Sequence, residues 1–486
     1  MKKIIICFMA TSILLVGRVV GQDTINLFPI EHYDQNIDNW ISPASPNYDK
    51  PLASADYQEQ RLADFYRHYY SDANDDLSPW SKDYVNKELT QANSRGIINY
   101  ESQLTTSFYL HDGKQNKTPY ALNYRPYTYQ QFQNIANNMD FDDHMTFTYA
   151  SGNRAIAIDN LDLRALPTAE PLFYNHNIAG EGYPFDNLQT AAVFTGMPLY
   201  VVKESKDKIW SLVVSSDAIG WVKTAGIIRV NEPFIKKWLN AANHGLVAMT
   251  KEQAITNNKN VNYGVAYNGS TLPLIAETDD AYQVLIPIRG NNGYASTKEV
   301  ILSKNNSVKM PLQLTPHNMI AIIKNQIGKP YGWGSQLFNY DCSAETKALF
   351  TPFGFYLPRN SQDQAEAGNK VAILDKLSSQ EREAYLLKNG HGFMTLVQIP
   401  GHILLYLGNY PNPSSQNHEM VPLSYQNIWG MRTAANDSRS VIGGAVILPL
   451  LSAYPENSSL LSFFNSEHRS KFRLIYLDNE SDNKSD

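Results

Sequence analysis

Lys329-Pro330-Tyr331-Gly332-Trp333-Gly334, then Ser335 to Tyr340, then Asp341-Cys342-Ser343-Ala344-Glu345 is the stretch whose reading decides the fold. A loop rich in Gly runs into the cysteine. Helix formers (Ala344, Glu345, Lys347, Ala348, Leu349) run out of it, and Gly354 stands where a helix would stop. The pattern predicts that Cys342 sits in the first turn of a helix, where free backbone N–H groups and the positive dipole end favour a thiolate. The thiolate is the nucleophile of cysteine chemistry. A lone cysteine is more often a small buried hydrophobe, yet polar Asp341 and Ser343 on either side are a poor setting for one.

A nucleophile needs a base, and the base needs an orienting group. Downstream, Ile399-Pro400-Gly401-His402 opens the apolar run His402 to Gly408, which reads as a buried strand ended by Gly. A His at the mouth of that strand can face a helix N-terminus across the sheet. The same spacing also fits a core histidine, and spacing alone does not choose.

Together these motifs resemble the NlpC-type cysteine peptidases, papain-like enzymes that cut peptidoglycan stem peptides. The Asp-Cys-Ser triplet, the Gly-His about sixty residues later, the Tyr-Gly-Trp-Gly lead-in and Leu357-Pro358-Arg359-Asn360-Ser361 carry the resemblance. It implies Cys342 as nucleophile and His402 as base. The third polar residue of the family falls on the next strand, two to three residues before a Trp-Gly, and is often His there. Here Tyr425-Gln426-Asn427-Ile428-Trp429-Gly430 puts Gln426 in that place, with His418 as the rival. A Gln carbonyl accepts from the imidazole N–H and sets its tautomer, but stabilises imidazolium less than a charge does. The resemblance also implies that Tyr331, Asp341 and Ser343 line the substrate cleft, with Asp341 placed to hold a free α-amino group. An SH3-like wall of the cleft would fall at Tyr183 and Asp186; both fit a structural turn equally well.

Composition bounds the rest. Thirty Tyr and seven Trp among 486 residues suit sheet-rich modules. Residues 1–21 read as a secretory signal: Lys2 and Lys3, an apolar run Ile4 to Val16, then small residues. Its removal takes Lys2, Lys3 and Arg18 and no acid, so the net charge moves from −6 to −9. An acidic chain is a poor nucleic-acid binder. Removal also takes Cys7, one of two cysteines, so no internal disulfide and no multi-cysteine zinc site are expected. No apolar run reaches about eighteen residues, and no membrane anchor, metal or cofactor is expected. The cluster Asp140, Asp142, Asp143 and His144 reads as a solvated acidic turn rather than a Ca²⁺ loop.

The organisation expected is a mixed, partly helical N-terminal domain over 22–150, with helices near 55–71 and 126–139. Two small all-β SH3-like barrels follow over 151–231 and 232–312, with Asn305–Met310 as linker. An α+β papain-like domain fills 313–478 and a polar tail 479–486. By resemblance the activity is an exported, monomeric, periplasmic or extracellular cysteine endopeptidase. It would cut the γ-D-glutamyl–L-diamino acid bond of stem peptides or muropeptides. An N-acetylmuramoyl-L-alanine amidase and a non-catalytic wall-binding protein are the alternatives.

Overall fold

The computed structural model describes residues 25–91, 101, 104–105, 107–108, 118–141, 145–178, 180–257, 259–412, 419–465 and 470–479. The expected signal segment, Asp142, Asp143, His144, His418 and the tail beyond 479 lie outside them.

The chain opens with β1 (Ile25–Leu27), then helices α1 (Ala55–Tyr69), α2 (Lys82–Gln91) and α3 (Tyr129–Met139). Ser54 caps α1, accepting from the Tyr57 N–H, and Thr128 with Gln131 forms a capping box on α3. Next come seven strands: β2 (Arg154–Ala157), β3 (Leu161–Arg164), β4 (Gln189–Val193), β5 (Pro198–Glu204), β6 (Trp210–Val214), β7 (Ile219–Lys223) and β8 (Ile227–Arg229). Helix α4 (Glu232–His244) leads into seven more: β9 (Leu246–Met249), β10 (Gln253–Thr256), β11 (Asn262–Ala266), β12 (Thr271–Glu277), β13 (Ala281–Arg289), β14 (Ala295–Ser303) and β15 (Ser307–Lys309).

The first set is ordered β4-β3-β7-β6-β5-β2-β8 and the second β11-β10-β14-β13-β12-β9-β15. Adding seven to each number of the first gives the second, so the two sheets share one topology. Trp210 and Trp221 are core of the first barrel, as expected. The stretch read as a linker, Asn305–Met310, instead supplies β15. Its backbone pairs with β9 (Ser307 opposite Met249), and that pairing overrides its polar side chains.

The last third holds α5 (Pro316–Gln326), α6 (Cys342–Phe350), β16 (Lys370–Ile373), α7 (Ser379–Asn389), β17 (Thr395–Ile399), β18 (His402–Pro411), β19 (Met420–Arg432), β20 (Arg439–Pro449) and β21 (Arg473–Tyr476). Thr315 caps α5 through the Asn318 N–H, with Pro316 in the first turn. The sheet order is β1-β20-β19-β18-β17-β21-β16. Helix before sheet makes this part α+β.

Residues 22–150 contribute to more than one core. β1 joins the last sheet in parallel with β20. Ile37, Trp40, Ile41, Tyr48 and Tyr57 sit in one apolar cluster with Cys342, Leu349 and Phe350 of α6. Gln35 clamps β20 both ways, donating to the Ile447 carbonyl at 2.8 Å and accepting from its N–H at 3.0 Å. Farther along α1, Phe65 and Tyr69 pack with Trp238 and the second barrel. The N-terminal chain thus ties the last sheet to the barrels.

Candidate active site

Helix α6 begins where the sequence places it, because Asp341 caps it. The cap is extended, and its Oδ1 accepts from the Ala344 N–H at 3.0 Å. Such a cap contributes about 1 kcal/mol. Here the carboxylate does more. Arg359 grips it with both arms, Nη1 to Oδ1 at 3.0 Å and Nη2 to Oδ2 at 2.7 Å. The Gly334 N–H donates to Oδ2 at 3.0 Å and Ser343 Oγ to Oδ1 at 3.2 Å. Burial pushes the carboxyl up, but Arg359, the Ala344 N–H and Ser343 outweigh it and hold it below the usual aspartate range.

Five donors on two oxygens leave Asp341 nothing for a substrate ammonium. Ser343 is likewise buried and occupied, its oxygen also accepting from Arg359 at 3.1 Å. These two residues, expected to line the cleft, hold the start of α6. Gly334 must be glycine here. Its φ is +61°, and a Cβ would lie 2.3 Å from the Gln189 carbonyl of the first barrel.

The far side of α6 is fastened to the sheet. Buried Glu345 accepts from Tyr425 Oη at 2.6 Å and Asn427 Nδ2 at 3.3 Å, both on β19. Gln364 Nε2 donates to the Ser343 carbonyl at 2.8 Å, and its Oε1 accepts from Thr346 Oγ1 at 2.7 Å. Cys342 is therefore held against the strands by polar contacts as well as packing.

His402 stands at the first position of β18 because Pro400-Gly401 makes a two-residue turn that pairs Ile399 with His402. Its Nε2 lies 2.7 Å from Gln426 Oε1 on β19. A chain of donors fixes the tautomer. Ser424 Oγ donates to the Leu448 carbonyl at 2.7 Å and accepts from Gln426 Nε2 at 3.1 Å. The Gln426 carbonyl thus faces the ring, Nε2 carries the proton, and Nδ1 is the nitrogen left with a lone pair. Cys342 meets the same strand start, since the N–H of Ile403 bonds its sulfur. The Cys342 N–H has no acceptor among the described residues.

The expected thiolate is reversed. Burial, then the Asp341 charge, pushes the Cys342 thiol up to about 12, against the pull of the Ile403 and Ser343 N–H groups and Arg359. Burial also pushes His402 down to about 4, partly offset by Gln426 and Asp341. At neutral pH the resting pair is an uncharged thiol beside an uncharged imidazole. Alkylation of Cys342 by iodoacetamide is accordingly expected to keep accelerating with pH through pH 9. A plateau near pH 6 would show a preformed thiolate.

A cleft of about 390 Å³ runs past His402, lined by Tyr331, Trp333, Trp429 and Phe185. Phe185, from the first barrel, stands edge-on to Trp333 and Trp429, with ring centres 5.1 and 4.8 Å away. It is the wall that Tyr183 and Asp186 were expected to supply. Tyr183 is 73% exposed and rests on Phe173. Asp186 is 1% exposed, pairs with Arg164 at 3.0 Å, and accepts from the Leu172 and Leu188 N–H groups. Asp186 is therefore a turn-former inside the barrel. The alternation of the Tyr183–Asp186 segment could have singled out Phe185, the aromatic residue between them. Among the described residues no His/Cys/Asp/Glu group is placed to hold a metal.

Residues 328–433 match the NlpC/P60 family, and residues 171–223 match the SH3 domain of SH3b1 type. The chain carries an NlpC/P60 domain behind an SH3 domain. A solved structure described as a novel NlpC/P60 endopeptidase from Photobacterium damselae subsp. piscicida superposes with a TM-score of 0.76 at 28% identity, over 93% of this chain and 98% of that one. A γ-D-glutamyl-L-lysine dipeptidyl-peptidase from Bacillus cereus is 26% identical over 220 residues, which are 42% of this chain and 60% of that protein. Its namesake from Bacillus subtilis is 27% identical over 140 residues, 29% of this chain and 42% of that protein. The chain thus spans less than two thirds of both Bacillus proteins.

The NlpC/P60 match begins at Gly328 and ends at Thr433, so it contains Cys342, His402 and Gln426. The SH3 match contains Phe185, so the cleft wall is made jointly by the NlpC/P60 and SH3 domains.

Proposed function

We propose that this chain is a cysteine peptidase of the cell wall that cuts the γ-D-glutamyl–L-diamino acid bond of peptidoglycan stem peptides. The observation that carries this reading is the line Ser424–Gln426–His402, which ends on an imidazole with its lone pair on Nδ1, next to Ile403, whose N–H bonds the Cys342 sulfur. The Bacillus names supply the bond, and the Photobacterium likeness supports an endopeptidase over nearly the whole chain.

In the proposed mechanism, Nδ1 of His402 takes the Cys342 proton as the sulfur attacks the γ-glutamyl carbonyl, and returns it to the leaving amine. The unpaired Cys342 N–H, at the positive end of α6, stabilises the oxyanion. Gln426 orients the ring. Tyr331 and Trp333 of the lead-in, with Phe185 and Trp429, form the walls that hold the peptide. The proposed steps use protein groups alone, and residues 1–21 are read as an export signal that takes the enzyme to the wall. No helix among the described residues is long and apolar enough to cross a membrane.

Because the resting pair is neutral, kcat/KM should rise with pH as His402 loses its proton, with a midpoint near 4, and stay level through pH 8. Gln426→Ala should lower kcat roughly a hundredfold by freeing the ring, a smaller effect than loss of a charged orienter. Gln426→Glu should move the acid limb upward, because a carboxylate favours imidazolium. An unshifted limb in Gln426→Glu would remove Gln426 from its orienting role.

The test of the bond is product mass. A muramyl peptide digested by the wild type should release a fragment with a new amine on the diamino acid. A new amine on L-Ala would favour the amidase instead. Binding without cleavage would favour a wall-binding module.

A further inference from the structure

The cleft extends well past His402, and its far end is basic. Arg432, Arg439 and Lys471 line it, and among the described lining residues there is no Asp or Glu. This runs against the net charge of −6 for the whole chain. Arg432 and Arg439 face each other directly across β19 and β20. Like charges at opposite positions of an antiparallel pair destabilise it, so stability does not explain the arrangement. Among the described residues neither guanidinium has a carboxylate within ion-pair distance.

Arg439 is also pre-positioned. Its Nη1 donates to the Ser438 carbonyl at 2.9 Å and its Nη2 to Asn436 Oδ1 at 3.0 Å. Gly180, from the SH3 domain, lies so close that a Cβ there would sit 3.3 Å from Nε and Nη2. Burial, together with Arg432 beside it, pushes Arg439 below its ordinary value even though Glu181 pulls the other way. A partly buried Arg439, held in place beside the exposed Arg432 on the same face of the cleft, is suited to an anion that both guanidinium groups can reach.

We infer that Arg432 and Arg439 form a carboxylate-binding subsite at the far end of the cleft, which takes a carboxylate on the leaving part of the substrate. The inference rests on the peptidase reading above. At ~3.3 Å per residue, Arg432 stands several residues' length along β19 from Gln426. The pair therefore meets the distal end of a bound peptide, not the carbonyl under attack. Two carboxylates have that position: the side-chain carboxylate of a dicarboxylic diamino acid such as diaminopimelate, and the C-terminal carboxylate of the stem peptide. Guanidinium forks fit either one bidentately.

The experiment uses the full chain and four synthetic L-Ala-γ-D-Glu peptides that continue with D-Ala-D-Ala after the third residue. Their third residue is diaminopimelate, diaminopimelate with its side-chain carboxyl amidated, lysine, or lysine with the C-terminus amidated. Turnover is measured with the wild type, and binding with Cys342→Ala by calorimetry. Each is repeated with Arg432→Ala, Arg439→Ala and Arg439→Lys. The wild type should favour the peptide with the recognised carboxylate by roughly tenfold or more, mostly through KM. That preference should collapse in the alanine variants and partly return in Arg439→Lys.

Loss on amidating the side chain identifies the diamino acid as the source. Loss on amidating the C-terminus identifies the chain end. Equal affinity of the wild type for all four peptides, or an equal loss on all four in the variants, overturns the subsite. If no peptide is cut yet the Cys342→Ala protein still discriminates among them, the peptidase reading fails and the subsite stands.

Discussion

Arg359→Ala is expected to cost the NlpC/P60 domain about 3–5 kcal/mol, the cost of removing one partner from a buried ion pair. Arg359 and Asp341 are 8% and 7% exposed. Four hydrogen bonds leave the guanidinium, two to Asp341, one to Ser343 and one to Ser335. The alanine variant strands the Asp341 carboxylate against the first turn of α6. Arg359→Lys should recover only part of the loss, because an ammonium cannot bond both oxygens in the fork geometry. The pH dependence has a definite sign. Asp341 is held below its ordinary value, so its contribution is complete above about pH 4, the unfolded aspartate range, and fades as pH falls through the lower folded value. In the variant the stranded carboxyl protonates more readily. The gap between variant and wild type should therefore narrow as pH drops from 7 to 4. Urea midpoints across that range check this, and a constant gap would show that Arg359 acts by packing alone.

Cys342→Ala is expected to abolish turnover by about 10⁴-fold or more while leaving the fold in place. The side chain is small and its removal opens little space in the cluster around Leu349 and Phe350. Cys342→Ser should be inactive too. The site raises even a thiol to about 12, and a hydroxyl is harder still to deprotonate. His402→Ala should approach the cysteine variants in effect, and combining the two should add little, because nucleophile and base act as one unit. Residual activity above about one per cent in Cys342→Ala would move the nucleophile elsewhere.

The sequence made the local parts of the site readable. The helix at Cys342, the turn at Pro400-Gly401 and the strand carrying Gln426 each depend on a few consecutive residues, and each forms where its residues predict. Parts set by distant pairings were not readable. Gln35 meets Ile447 across 412 positions, and no local pattern announces β1 as a strand of the last sheet. Arg359 was visible within Leu357-Pro358-Arg359, but its role needs Asp341 folded back onto it. That fold also gives Asp341 and Ser343 a structural task at the start of α6 that the local sequence does not announce. The cleft wall shows the same limit at finer grain. The right segment of the SH3 domain was singled out, yet the residue that reaches the cleft is Phe185, because Asp186 turns inward to Arg164. The thiolate expected from the helix dipole is outweighed by burial and the Asp341 charge, quantities that only packing sets.

The most direct test of the central claim is covalent capture. An L-Ala-γ-D-glutamyl chloromethyl ketone is incubated with the protein, and the product is mapped by mass spectrometry alongside residual turnover. The account predicts one adduct, on Cys342, formed in step with the loss of turnover, slowed by substrate and nearly absent in His402→Ala. Full occupancy of Cys342 with turnover undiminished, or labelling as fast in His402→Ala as in the wild type, would contradict it.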